Sequence, residues 1–207
     1  IGDFCLELHS NKANKTDVLQ KLTTTLALAG AQEKVIAEIS AAMAKSEPMS
    51  RILIGDVGCG KTVCAAAAIY IAVKNGYQAA LMAPTEILAS QHYNDLKPIF
   101  EALGIKCAFL TGSCTAATKR KIHAAMQAEI PELRLDVVIG TQALLSDGAE
   151  FIKPGLVITD EQHRFGVNQR SSLTEKGENP HVLVMSATPI PRTLALIIYG
   201  DLDVSIL

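Results

Sequence analysis

Short apolar runs alternate along the chain with stretches whose apolar residues recur at helical spacing. Arg51-Ile52-Leu53-Ile54 reads as a buried strand, and Val63-Cys64-Ala65-Ala66-Ala67-Ala68-Ile69-Tyr70, apolar all round, as a buried helix. Upstream, Val35, Ile36, Ile39 and Met43 recur at helical spacing between Gln32 and Met43, and Ser46-Glu47-Pro48 stops that helix. Downstream, Asn75-Gly76 gives a C-cap signal, and Gln78 to Ala83 returns as a strand. Pro84-Thr85-Glu86 opens a helix with Ala89, Tyr93, Leu96, Phe100 and Leu103 on one face, and Gly104 ends it. Lys106 to Leu110 is the next strand, Ala116 to Ala128 a helix and Leu135 to Ile139 a strand. Leu156 to Thr159 and Val182 to Met185 are two more apolar runs. Strands alternating with helices, several strands apolar throughout, predict an α/β fold: a mostly parallel central sheet with helices on both faces.

Length and composition narrow this picture. At 207 residues and 49% apolar, the chain suits one large domain with a sizeable core. Residues 1–25 carry little pattern and read as an N-terminal arm or linker from an upstream domain; 26–207 is the domain proper. The longest apolar run, Val63 to Val73, is too short to span a bilayer. No basic leader followed by an apolar core suggests secretion. Five cysteines, odd in number and without a CxxC pair, point to a reduced, cytoplasmic compartment. The five histidines (His9, His92, His123, His163, His181) show no ligand spacing with cysteines, so no zinc site is expected. A net charge of −2 means that any DNA-binding surface is local.

Two segments carry chemistry. Gly55-Asp56-Val57-Gly58-Cys59-Gly60-Lys61-Thr62 matches GxxxxGK(S/T) between a strand and a helix, the context of a P-loop. Its glycines let backbone N–H groups converge on phosphate oxygens, and the helix start adds its positive dipole end. Lys61 supplies charge to the outer phosphates and Thr62 a hydroxyl for Mg²⁺. Cys59 stands at a position that contributes mainly its backbone N–H. Leu156-Val157-Ile158-Thr159 ends in Asp160-Glu161. This strand is expected to neighbour the P-loop strand and deliver Asp160 to Mg²⁺, with Glu161 polarising water.

The residues that follow make a resemblance specific. Asp160-Glu161-Gln162-His163-Arg164-Phe165-Gly166-Val167 is a DExH-type box, and Ser186-Ala187-Thr188-Pro189-Ile190-Pro191-Arg192-Thr193 resembles the coupling motif of superfamily 2 helicases. Ala83-Pro84-Thr85-Glu86-Ile87-Leu88-Ala89 and Gly140-Thr141-Gln142-Ala143-Leu144 are similar to the motifs that contact the nucleic-acid backbone. Together these resemble the RecG family of bacterial ATP-dependent branched-DNA translocases, from about Leu26 onward. Transcription-repair coupling factors share the RFGV and TPIPRT strings but typically read DEEH and APTTLLA; Gln162 and Glu86 favour the RecG family.

The resemblance implies the first RecA-like motor lobe of a helicase that hydrolyses ATP with Mg²⁺ and works on branched DNA. Catalysis would fall to Lys61 and Glu161, nucleotide binding to Gln32 and 55–62, and metal binding to Thr62 and Asp160. Gln32 would read the adenine edge; Leu26 and Ala29 replace a usual Phe and Thr, leaving adenine stacking and ATP selectivity without matching residues. Gln162, His163, Ser186, Ala187 and Thr188 would relay the nucleotide state. Pro84, Thr85, Thr111, Gly112, Gly140 and Thr141 would hold DNA phosphates without reading bases. Arg164, Arg170 and Arg192 lie near the motifs, none in the context of an arginine finger acting in cis. The partner lobe and an accessory DNA-binding domain would therefore lie outside these residues, on a monomer with no membrane contact. A nucleotide-dependent binding switch is the reading of a different class; the Lys61, Thr62, Asp160, Glu161 set argues for an enzyme.

Overall fold

The computed structural model describes residues 30–141, 144, 150–160, 179–187 and 202–207. Expectations for the arm 1–25, for Leu26 and Ala29, and for Glu161, Gln162, His163, Arg164, Arg170, Thr188 and Arg192 lie outside the described residues. Helix α1 (Gly30–Met43) precedes β1 (Ser50–Ile54), α2 (Lys61–Lys74) and β2 (Gln78–Met82). Then come α3 (Glu86–Ala102), β3 (Cys107–Leu110), α4 (Ala116–Met126) and β4 (Val137–Gly140). Strands β5 (Pro154–Asp160), β6 (His181–Ser186) and β7 (Asp203–Ile206) close the order. All pairings are parallel, and the seven strands run β3-β4-β2-β5-β6-β1-β7.

Alternation along each strand divides the core in two. Leu53, Leu81, Ile139, Ile158 and Met185 face one side, where α1, α2 and α3 pack. Ala65 to Ala68 are fully buried on α2, and their small side chains let the helix lie close against the sheet. Ile69 beside them is fully buried too, which stabilises the helix by about 1.5–3 kcal/mol. Met82, Val138 and Val157 face the other side under α4, through Ile122 and Met126; Ile52, Ile54 and Val184 form a separate cluster there.

Two expectations are corrected. The strand bearing Asp160 does not neighbour the P-loop strand: β6 lies between β5 and β1. Apolar runs locate strands but carry no signal for their lateral order, and here the strand leading to the coupling motif takes the middle place. The second correction is β7, a four-residue strand at the sheet edge. Its pairing rests on a polar anchor rather than an apolar run. Arg51 on β1 donates to Ser205 Oγ at 2.7 Å and to Asp203 Oδ2 at 3.1 Å, and Ser205 Oγ donates to Glu38 of α1 at 2.6 Å.

The end of the sheet where the strands begin is tied by one glutamine. Buried Gln78 donates to Met126 O and Leu135 O (3.0 and 2.7 Å) and accepts from the N–H groups of Ile152 and Lys153 (2.9 and 3.1 Å). With four bonds, the buried amide is fully satisfied. Every chemistry-bearing segment sits at the opposite end.

Candidate nucleotide and nucleic-acid site

A parallel sheet brings all its strand C-termini to one edge, and ligands of open α/β sheets bind outside that edge. Gly55 follows β1, Pro84 follows β2, Thr111 follows β3, Thr141 follows β4, Asp160 ends β5 and Ser186 ends β6. The strand order then sorts them. The β5-β6-β1 part of the edge carries the nucleotide motifs, and the β3-β4-β2 part carries the segments assigned to DNA.

The P-loop leaves β1 at Ile54 and turns into α2 through Gly58 and Gly60, both at positive φ (82° and 96°). An L side chain rarely adopts this conformation, and at Gly60 a Cβ would also meet Gln32 Nε2. Lys61 Nζ donates to Gly55 O at 2.6 Å and Asp56 O at 2.8 Å, so its ammonium already lies over the loop. Gln32 Nε2 donates to Cys59 O at 3.2 Å, which places the expected adenine reader against the loop itself. Gly55 N–H donates to Ser186 O at 3.1 Å, and Leu207 N–H to Ile54 O at 2.9 Å. The first residue of the coupling motif is thus bonded directly to the first residue of the P-loop, with Ala187 following. Val57 is 89% exposed at the loop tip.

Asp160 pairs in register with Met185, and Met185 with Leu53. It therefore lies in the row of Leu53, two strand spacings or roughly 10 Å across the sheet from the strand that leads into the P-loop. Its side chain follows Leu156 and Ile158 onto the face covered by α2 and α3. Thr62 and Asp160 offer a hydroxyl and a carboxylate, hard oxygen donors that can hold Mg²⁺ together with phosphate oxygens. No group of three or more His, Cys, Asp or Glu able to hold a metal exists among the described residues.

One partner of this site is not evident from the motifs. His92 Nε2 of α3 lies 2.6 Å from Asp160 Oδ2, and both residues are buried. Scattered ligand spacing is the wrong test for this histidine. The signal is its place three residues after Ala89 and four before Leu96, a polar residue within the buried stripe of an amphipathic helix.

On the other half, the strand ends are laced together. Ala83 N–H donates to Gly140 O at 2.9 Å and Thr141 N–H to Leu110 O at 3.4 Å. Thr85 caps α3, its hydroxyl accepting Leu88 N–H at 3.3 Å, while Pro84 is half-buried beside it. Glu86 reaches across to β3's loop and accepts Ser113 N–H at 3.1 Å and Ser113 Oγ–H at 2.7 Å. These bonds hold its carboxyl below the ordinary value. Thr111, assigned a phosphate-binding hydroxyl, is fully buried, and that hydroxyl bonds Ser113 Oγ at 2.9 Å. Gly112 and Ser113 are the exposed residues of the turn, and Lys119 Nζ caps Gly112 O at 2.8 Å. Gly140 is buried, and its identity follows from packing: a Cβ there would lie 1.8 Å from Leu110 O.

The fold and this edge define a RecA-like P-loop lobe. The DEAD/DEAH box helicase family matches residues 29–197, and the chain belongs to that family. It is 54% identical over 187 residues to the ATP-dependent DNA helicase RecG of Streptococcus pneumoniae serotype 4, covering 90% of the chain and 27% of the relative. RecG of Acidithiobacillus ferridurans is 52% identical over 177 residues, 86% of the chain and 25% of the relative. A solved structure of RecG bound to a three-way DNA junction superposes with a TM-score of 0.72 at 44% identity, covering 86% of this chain and 24% of that one. The DUF1998 helicase MrfA, 16% identical with a TM-score of 0.69, shares the fold. The chain spans about a quarter of the length of the curated relatives it matches. No helix among the described residues is long and apolar enough to cross a membrane.

Proposed function

We propose that this chain is the first RecA-like motor lobe, residues 26–207, of an ATP-dependent helicase that remodels branched DNA, a reading supported by its likeness to RecG helicases and to RecG bound to a three-way DNA junction. The observation that carries the reading is the edge itself: the P-loop and Asp160 open on one half, the laced strand ends on the other. ATP binds with its phosphates on the N–H groups of 55–62 and its outer phosphates on Lys61, which leaves its two carbonyl partners to do so. Thr62 and Asp160 hold Mg²⁺, which neutralises charge on the phosphates. Glu161 orients water for attack on the γ-phosphorus, with ADP as the leaving group. Gln32, already against Cys59, reads the adenine edge. Gln162, His163, Ser186, Ala187 and Thr188 pass the nucleotide state to a second lobe. Thr85, Gly112 and Thr141 hold DNA phosphates through hydroxyl and backbone N–H groups, with Pro84 and Gly140 shaping the backbone beside them and Thr111 bracing the turn from inside. The protein works as a cytoplasmic monomer.

ATP turnover of the whole protein, measured with and without a three-way junction, tests this. DNA-stimulated turnover is expected. Glu161→Gln should keep ATP affinity and lose turnover, whereas Lys61→Ala should lose affinity because charged contacts to phosphate disappear. ATP binding without turnover under any condition would instead make the chain a nucleotide-dependent switch.

A further inference from the structure

The two halves of the sheet edge meet between β2 and β5, and beside the backbone pairing a buried side-chain hydrogen bond crosses that seam at its C-terminal end. Asp160 ends β5; His92 lies on α3, the helix that follows β2. Both residues are 8% exposed and their side chains are 2.6 Å apart. A carboxylate has no proton to give, so His92 donates through Nε2. That bond takes Oδ2. The histidine is firmly seated, since Ala89, Leu96 and Phe100 on the same helix are buried in the core. Seven residues separate it from the cap Thr85, about 10 Å along a rigid helix.

We propose that His92 is the positioning residue for Asp160: it fixes the carboxylate for Mg²⁺ and ties the metal site to the DNA-side end of α3. The inference rests on Asp160 being a metal ligand. A bound phosphate at Thr85 shifts or stiffens α3, and His92 delivers that change to the ligand oxygen. Partners that orient a metal ligand commonly change metal affinity by about 10–100-fold when removed.

The test reads nucleotide affinity of the whole protein with a fluorescent ATP analogue, once with Mg²⁺ and once with EDTA. Asp160→Asn and His92→Leu should each cut the gain in affinity that Mg²⁺ gives by about tenfold or more. Affinity in EDTA should stay unchanged, because the P-loop is intact. His92→Gln, whose amide nitrogen reaches the Nε2 position, should keep the gain; His92→Asn, whose amide reaches only the Nδ1 position, should lose it. If His92→Leu also loses affinity in EDTA, the Gln and Asn variants decide, and equal behaviour of the two overturns the proposal. Full Mg²⁺ dependence in His92→Leu beside its loss in Asp160→Asn overturns the role of His92 alone. Full dependence in Asp160→Asn overturns the metal-ligand reading and the proposal with it. Three-way-junction DNA should lower the Mg²⁺ concentration for half-maximal turnover in the native protein and in His92→Gln. The same lowering in His92→Asn overturns the link to DNA.

Discussion

Two cysteines report on the P-loop from opposite sides of Lys61, and alkylation should separate them by a wide margin. Cys64, in the first turns of α2, is fully buried, and burial pushes its thiol from 9.0 up to about 12. Only the thiolate reacts. At about pH 8 a thiol at 9.0 is roughly one-tenth ionised and one at 12 roughly one ten-thousandth, a thousandfold handicap before access is counted. Cys59 is half-buried within the loop, its sulfur against Gly55, where a Cβ would sit 2.6 Å away. ATP–Mg²⁺ closes over that loop and should slow Cys59 while leaving half-buried Cys107, on β3, unchanged. Iodoacetamide pulses followed by trypsin and mass spectrometry resolve the two sites, because cleavage at Lys61 puts Cys59 and Cys64 in different peptides. Cys59 should label about 10²–10³ times faster than Cys64. Labelling of the two within about tenfold, in protein shown to be folded, would refute the buried placement of α2. Absence of nucleotide protection at Cys59 would refute the nucleotide site.

Three further outcomes follow from particular contacts. Gly140→Ala forces a Cβ against the Leu110 carbonyl, which is backbone and cannot swing aside, so urea denaturation should show a loss of about 3 kcal/mol or more; a change within about 0.5 kcal/mol would refute it. His181 accepts Met49 N–H on Nδ1 at 2.8 Å, and burial lowers its pKa from 6.5 to about 4. The folded state therefore resists protonation: its stabilising effect is complete above 6.5 and is lost as pH falls toward 4, on the order of 3 kcal/mol in all. Stability of His181→Asn should lack that component of the acid limb, and identical limbs would refute the assignment. Residues 1–207 alone should hydrolyse ATP near background with or without DNA if, as the proposed two-lobe arrangement requires, an arginine finger contributing about 10³–10⁵ is supplied by a second lobe; robust DNA-stimulated turnover would mean that one of this lobe's own arginines acts.

Local patterns made the elements legible. The apolar runs placed six strands to within a few residues, since a strand buried on both faces must be apolar throughout. The P-loop was legible because Gly55, Gly60, Lys61 and Thr62 stand at its fixed positions, and Gly60 has the positive φ that its turn requires. Lateral order was not, because Leu53, Met185 and Asp160 come into one row only when the sheet forms. β7 stayed hidden because Asp203 and Ser205 read as polar surface until Arg51 meets them. His92 stayed hidden for the same reason: its partner is 68 residues away in sequence. Nor does the motif tell that Thr111 is buried with its hydroxyl on Ser113, because that contact forms only when the turn closes.

The two halves of the edge are built differently, and the difference bears on how a motor lobe passes work. On the nucleotide side, the P-loop is held by a few bonds from separate elements: one from Gln32 of α1, one to the Ser186 carbonyl of β6 and two from Lys61 of its own helix. Each can be exchanged for a phosphate contact or shifted when one arrives. On the other side, three strand ends are cross-linked. Ala83 bonds Gly140, Thr141 bonds Leu110, and Glu86 spans from β2's loop to Ser113 past the end of β4. These bonds hold the three strand ends in fixed relation to one another, the property that the proposed grip on several DNA phosphates would use. An adaptable half must therefore act on a rigid half, and the contact between them has to be short and buried to transmit a displacement rather than absorb it. The His92–Asp160 hydrogen bond has that character, and it joins the rigid half to the carboxylate proposed to hold Mg²⁺.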